Sequence, residues 1–426
     1  MKGAGELMSS DANASSLFDG QLAGAALRGC LDGGCIEKLL LHCATALEAN
    51  DATLVQQVMW VLNNIASPNG DPNQRLTAWL LRALVARAAR LCPTLTAAGG
   101  PAASCARRMS VTDLVGYLDL TPWHRFGFTA SNGAILKAVQ GKKQSVVHVL
   151  DFGVYHCTQW PTLIDALAKR PEGPPPLLRV TVPSARPPVT PYLNLSTEEI
   201  GLRLANFAKS RSVPFEFNVV EYSHSDGGGF PEQLASCLSA LELREDEAVV
   251  VNCQSWMRYL PEEGSCLTKD TFLELIHRVN PCVVTVSDED ADLDSPRLSS
   301  RIMACFNYLW IPFDALETFL PKESEQRMEY EGDIGEKIER IVSFHGAEVV
   351  ESGERFSGRM ARAGFAGVVF EEEVVAEVKA VLEEHASGWG MKREEDMLVL
   401  TWKGHNSVFT SSWAPTGFSH RNQIST

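Results

Sequence analysis

The chain has 426 residues, 45% hydrophobic and 21% charged, enough for one large core with a smaller lobe or for two domains. No apolar run approaches the ~20 residues that span a bilayer, and residues 1–34, rich in Ala, Gly and Ser, lack the charged-then-apolar order of a secretory leader. A soluble, intracellular protein without a membrane partner is expected, and the net charge of -15 repels a nucleic-acid duplex on average, so any DNA contact needs a local basic surface.

Residues 1–34 read as a flexible N-terminus. Cys30, Cys35, His42 and Cys43 come closest to a metal cluster, but their spacing fits no zinc module, and His42 and Cys43 begin an amphipathic pattern. The eleven cysteines follow no disulfide framework, which points to reduced thiols inside a cell. Apolar residues then recur at helical spacing: Ile36, Leu39, Leu40, Cys43 and Leu47; Leu54, Val58, Val61, Leu62 and Ile65; Leu76, Leu80, Ala83 and Leu84. Strong turn chemistry at 67–72 separates the second helix from the third. Leu91 to Cys105 reads as a flexible loop, and helices over Val111–Leu118 and Phe128–Val139 complete a helical cap lobe at 35–140.

From Ser145 the pattern becomes strands alternating with helices over 141–426. A continuous apolar run at Val146–Leu150 predicts a strand buried on both faces, and similar strands are predicted at Leu177–Val182, Phe215–Val220, Ala248–Asn252 and Val283–Ser287. Helices are predicted at Trp160–Leu167, with Pro161 in the first turn, and at Ile200–Ala208, Leu234–Leu241 and Phe272–Val279. Met397–Trp402 and Ser407–Ser412 form a C-terminal antiparallel hairpin across Lys403–Asn406. The fold class is therefore α/β: a Rossmann-like, methyltransferase-like, doubly wound sheet with that hairpin and an N-terminal helical cap.

Such a sheet holds a cofactor at the turn after its first strand, which needs glycines for close backbone approach. Here the turn runs from Asp151 to Trp160 with one glycine, and the second strand ends in Thr181-Val182-Pro183-Ser184 without a carboxylate for a ribose. No cofactor is expected. Phe152 and Tyr155, with Asp151, leave a crevice that can hold a small molecule without chemistry. His156 and Cys157 are chain neighbours, which rarely face each other, so a loop role is expected. Asp288, Glu289, Asp290, Asp292 and Asp294 lack a calcium loop's glycine and final glutamate, and read as a solvated acidic loop. Arg355, Arg359 and Arg362 fall at i, i+4 and i+7 on a predicted helix, near Lys337 and Arg340, and form the candidate DNA contact, although ordinary pairing with Glu331, Glu336, Glu351 and Glu354 is the favoured reading.

Several segments resemble, in order from about 36 to 413, the GRAS domain of plant Scarecrow-like, Short-root-like and DELLA regulators. Leu39–Ala86, including Gly70-Asp71-Pro72-Asn73-Gln74-Arg75-Leu76, is similar to the first leucine-rich region. Phe128–Leu136 leads into Val147-His148-Val149-Leu150-Asp151 and Gln159-Trp160-Pro161, which resemble the family's central motif. Asn307-Tyr308 with Phe313–Glu317, and Trp389, Trp402 and Trp413 in the closing region, resemble the later motifs. Cys157, Ser412 and a reduced middle motif depart from the pattern and suggest the Scarecrow-like branch. The resemblance implies a nuclear transcription regulator without catalysis. Its partners would be other transcription factors, zinc-finger or GRAS proteins, as a homodimer or heterodimer that can contact DNA. The alternatives are an S-adenosylmethionine-dependent methyltransferase and a small-molecule-sensing module. Trp160 is expected to pack between sheet and helix, Asp151 to cap the turn or line the crevice, and the three later tryptophans to form core.

Overall fold

The structure, a computed structural model, describes residues 33–91, 108–141, 145–153, 155–187, 192–223, 228–343, 346 and 348–417. The expected N-terminus 1–34 and the loop 92–105 lie almost wholly outside them, as does Cys30.

The first helices are α1 (Gly33–Glu48), α2 (Ala52–Ile65) and α3 (Pro72–Leu91). Asp51 caps α2 by accepting from the Leu54 amide at 3.0 Å. The Gly70–Leu76 segment starts α3 with a reciprocal cap: Asp71 accepts from the Gln74 amide and Gln74 from the Asp71 amide, each at 3.0 Å. His42 and Cys43 sit inside α1 rather than at its start, and no group of metal-ligating side chains occurs among the described residues.

A short strand, β1 (Arg108–Met109), precedes α4 (Val111–Leu118) and α5 (Trp123–Val139). Then come β2 (Val146–Asp151), α6 (His156–Ala168), β3 (Leu178–Pro183), β4 (Tyr192–Leu193), α7 (Thr197–Ser210), β5 (Phe215–Val220), α8 (Phe230–Ser239) and β6 (Glu247–Gln254). After these follow α9 (Lys269–Val279), β7 (Val283–Glu289), α10 (Leu298–Glu317), α11 (Glu325–Ser343), α12 (Gly353–Arg362) and β8 (Phe365–Gly367). The chain closes with α13 (Glu372–Glu383), β9 (Trp389–Glu394), β10 (Met397–Trp402) and β11 (His405–Pro415).

The main sheet runs β5-β3-β2-β6-β7-β11-β10-β9, with β8 beside β11. The first five strands are parallel and the rest antiparallel. The insertion of β11 between β7 and β10 is the arrangement of a methyltransferase-like Rossmann sheet. The β2, β6 and β7 strands are buried throughout, as their apolar-rich sequences predict. One face carries α5, α6 and α7, the other α8, α9 and α12. The turn from β10 to β11 uses two residues, Lys403 and Gly404, at φ of 48° and 87°, so the strand resumes at His405.

Two placements bear on the cap. The apolar faces of α1, α2 and α3 bury against α10 and the end of α11, so residues far along the chain complete the lobe. Helix α5, expected in the cap, lies on the sheet; a Cβ at Gly127 would stand 2.4 Å from the Ser287 hydroxyl of β7. Pro161 is not in the first turn, because α6 begins at His156 and encloses it.

Candidate functional site

A ligand crevice in this architecture lies beyond the carboxyl ends of the strands where the order reverses, here between β2 and β6. Asp151 ends β2 there. Its Oδ1 accepts from the Gly153 amide and from Asn252 Nδ2, each at 2.9 Å, and its Oδ2 accepts from Trp160 Nε1 at 2.8 Å. Gly153 stands where a Cβ would meet Asp151 Oδ1 at 3.0 Å, which accounts for the turn's single glycine. Gln159 accepts from Asn252 at 3.0 Å and donates to Asn132 Oδ1 at 3.1 Å. Gln254 extends the network by donating to Ser131 at 2.8 Å, and Thr285 by donating to Asn252 Oδ1 at 2.9 Å. Asp151, Gln159 and Trp160 are thus brought together, all buried. Phe152 does not face solvent either: its ring stacks on Trp256 at 5.3 Å. The polar side chains at this turn thus satisfy one another.

His148 lies three residues before Asp151 and so faces the opposite side of β2. Its ring bonds Glu247 and Thr181, each at 2.7 Å, and Glu247 is also held by Arg179. Burial lowers its pKa more than the Glu247 carboxylate raises it, so the imidazole is neutral. The closing tryptophans are core. Trp402 is fully buried and donates to Asp314 at 2.7 Å, Trp389 leans on it at 4.8 Å, and Trp413 donates to Ser411 at 2.9 Å. The side chains of His156 and Cys157 lie outside those described.

The arginine helix forms as expected, over α12, but its charges are spent. Arg359 is buried and held by Glu351, Glu262 and Asp270; Arg355 pairs with Asp292 and Asp294 at 2.8 Å. Lys337 is bound to Glu289, and Arg340 to Glu348 at 2.6 Å. Arg362 alone of the three helix arginines is exposed without a described ion pair, so the helix presents no basic face. The candidate DNA contact is corrected accordingly. The acidic run is corrected too: Asp288 and Glu289 are buried strand residues paired with Arg258, Asp290 accepts from the Gly353 amide at 2.8 Å, and Asp292 and Asp294 hold Arg355.

Sequence reasoning missed Arg258, which no local motif marks. A signal existed in the two acids that end the apolar strand β7, since buried carboxylates require a cation. It also missed how two motifs meet. Arg75 donates to Glu317 at 2.8 Å, to Glu331 at 3.0 Å and to the Phe313 carbonyl at 3.1 Å, joining Gly70–Leu76 to Phe313–Glu317.

The model of the GRAS domain family matches residues 36–414. Scarecrow-like protein 32 of Arabidopsis thaliana is 49% identical over 403 residues, covering 91% of this chain and 96% of that protein. Protein SHORT-ROOT of the same plant is 31% identical over 89% of this chain and 73% of its own length. Among solved structures, that of SCL7 from Oryza sativa superposes with a TM-score of 0.72 at 24% identity, over 89% of this chain and 99% of that one; at this identity it shows the fold alone.

Proposed function

Because the chain belongs to the GRAS family, we propose that it is a plant nuclear regulator of transcription that works through protein partners and carries out no reaction. The observation behind this reading is the closed network at the switch point: Asp151, Asn252, Gln159 and Trp160 satisfy one another at the turn after β2. Relatives named as regulators, including Scarecrow-like transcription factor PAT1 of Arabidopsis thaliana, support the regulatory part. Partners would be zinc-finger or other GRAS proteins, in a homodimer or heterodimer, and DNA would be reached in that company. The cap supplies surface for such contacts, since Leu41, Leu54, Trp60 and Val85 on its helices are exposed.

Tethering the chain to a heterologous DNA-binding domain in plant cells, beside a fluorescent fusion, tests this. A changed reporter output and nuclear fluorescence are expected; an inert, wholly cytoplasmic protein would overturn the proposal. The methyltransferase alternative draws on the strand order, and calorimetry with S-adenosylmethionine separates it. No heat of binding is expected at concentrations that saturate active methyltransferases.

A further inference from the structure

A cavity opens beyond the same strand ends, beside the Asp151 network. It lies where Tyr155 after β2, Ser255 and Arg258 after β6, and Glu289 at the end of β7 meet α4, α5, α10 and α11. It has room of about 120 Å³, near the ~150 Å³ that holds a benzene ring. Its walls are aromatic. Tyr117 stacks on Tyr330 with ring centroids 4.8 Å apart, and His124 meets Tyr155 edge-on at 5.5 Å.

The polar groups around it are mostly donors. Burial raises the phenols of Tyr117, Tyr259 and Tyr330, the last to about 12, so each keeps its O–H. Lys337, Arg340 and Arg258 add cationic N–H groups. The acceptors are engaged: Glu289 is held by Arg258 and Lys337, and Asp333 accepts from Tyr117. Asp288 and Glu348 balance Arg258 and Arg340 from behind, so recognition here rests on directed donors rather than on a strong positive field.

Two features mark the cavity as a built site. Arg258 is buried, its guanidinium NH1 donates to Glu289 at 2.7 Å and its NH2 to Asp288, yet its Nε has no hydrogen-bond partner among the described residues. A buried donor left in this way costs free energy unless a ligand or water satisfies it. Ser255 holds φ of 58°, a conformation costly for a residue with a side chain, and is pinned by its amide donating to the Ser287 carbonyl at 2.8 Å. Such strain gathers at ligand sites.

We propose that this cleft binds a small aromatic acid of one ring, with the ring against the tyrosine and histidine wall and the carboxylate accepting from Arg258 and Lys337. The bound molecule would touch α4, α10 and α11 on one side and the ends of β6 and β7 on the other. It would thereby strengthen the seat of the cap on the sheet. This inference stands apart from the regulatory reading, because binding is read on the purified chain whatever that chain regulates.

Calorimetry of the full chain with benzoate, 4-hydroxybenzoate and phenylacetate, each beside its amide, tests it. At least one acid should saturate a single site near or below about 1 mM, as suits a ligand of about ten non-hydrogen atoms. Its amide should bind about tenfold more weakly. Ile334→Trp, placed on the cleft wall and checked for native circular dichroism, should weaken binding by about tenfold or more; Arg258→Lys keeps the charge, removes the Nε donor and should weaken it too. The proposal falls if no acid saturates, if the amides bind as well as the acids, or if folded Ile334→Trp binds as the parent does.

Discussion

Trp160→Ala removes the largest side chain in the switch-point crevice and tests whether the central motif maintains the fold. Trp160 is 1% exposed and packs against β2, β3 and α7. Truncating a buried tryptophan costs about 3–5 kcal/mol through lost transfer energy and the cavity left behind. The Asp151 Oδ2 atom would also lose its 2.8 Å donor inside a buried network, which adds about 1–3 kcal/mol. Unfolding entropy near ~2.1 cal/mol/K per residue gives roughly 0.8 kcal/mol/K for a domain of about 380 residues. The expected fall in melting temperature is therefore about 5–10 °C, the sum of both costs over that entropy. Circular dichroism melts of the parent, Trp160→Ala and Trp160→Phe measure it. Phenylalanine keeps much of the ring volume while losing the N–H and part of the bicycle, so its shift should be smaller than that of alanine. An alanine variant melting within about 2 °C of the parent would refute the assignment of Trp160 to the core.

Asp314→Ala leaves the indole N–H of fully buried Trp402 without its acceptor, and should cost about 1–3 kcal/mol in urea unfolding, while Asp314→Asn keeps an acceptor and should cost less. Burial, helped by Arg258, lowers the His124 pKa from 6.5 to about 4. The unfolded chain takes up that proton first, so stability present above pH 6.5 is lost as pH falls towards 4. His124→Phe should flatten the melting temperature over that window in a pH series, and an unchanged slope would show that His124 does not contribute. Arg359→Glu sets a fourth carboxylate among Glu351, Glu262 and Asp270 and should cost at least the ~3–5 kcal/mol of a broken buried pair. Arg355→Ala and Arg362→Ala, at exposed positions, should stay within about 1 kcal/mol of the parent; a native-like Arg359→Glu protein would disprove the buried assignment.

Strands such as Val146–Asp151 and Val283–Glu289 were legible because a strand buried on both faces is apolar at most of its steps rather than at alternate ones. Strand β9, with sequence Trp-Gly-Met-Lys-Arg-Glu, was not. It is half-exposed at the sheet edge, where β10 is its neighbouring strand, and carries no apolar run. Helix α10 escaped for the opposite reason: it buries residues from Leu298 to Leu316 around much of its circumference, so no single stripe stands out, and Pro312 reads as a break. The cap's true extent was hidden because α1, α2 and α3 cover their apolar stripes with helices more than two hundred residues later.

At the site, the sequence identified residue types but not the partners that determine their role. The spacing of Arg355, Arg359 and Arg362 fits a phosphate-binding face and an ion-paired face equally well. The choice was made by Glu262 and Asp270, 97 and 89 positions from Arg359, which no window along α12 contains. With net charge -15, carboxylates outnumber cations, so a cation carried near the sheet meets an acid before it meets solvent. The motif residues follow the same logic. Asp151, Trp160, Gln159 and Asn252 close on one another, Arg75 closes on Glu317 and Glu331, and Trp402 on Asp314. Each motif is the half of a contact whose other half lies elsewhere in the chain.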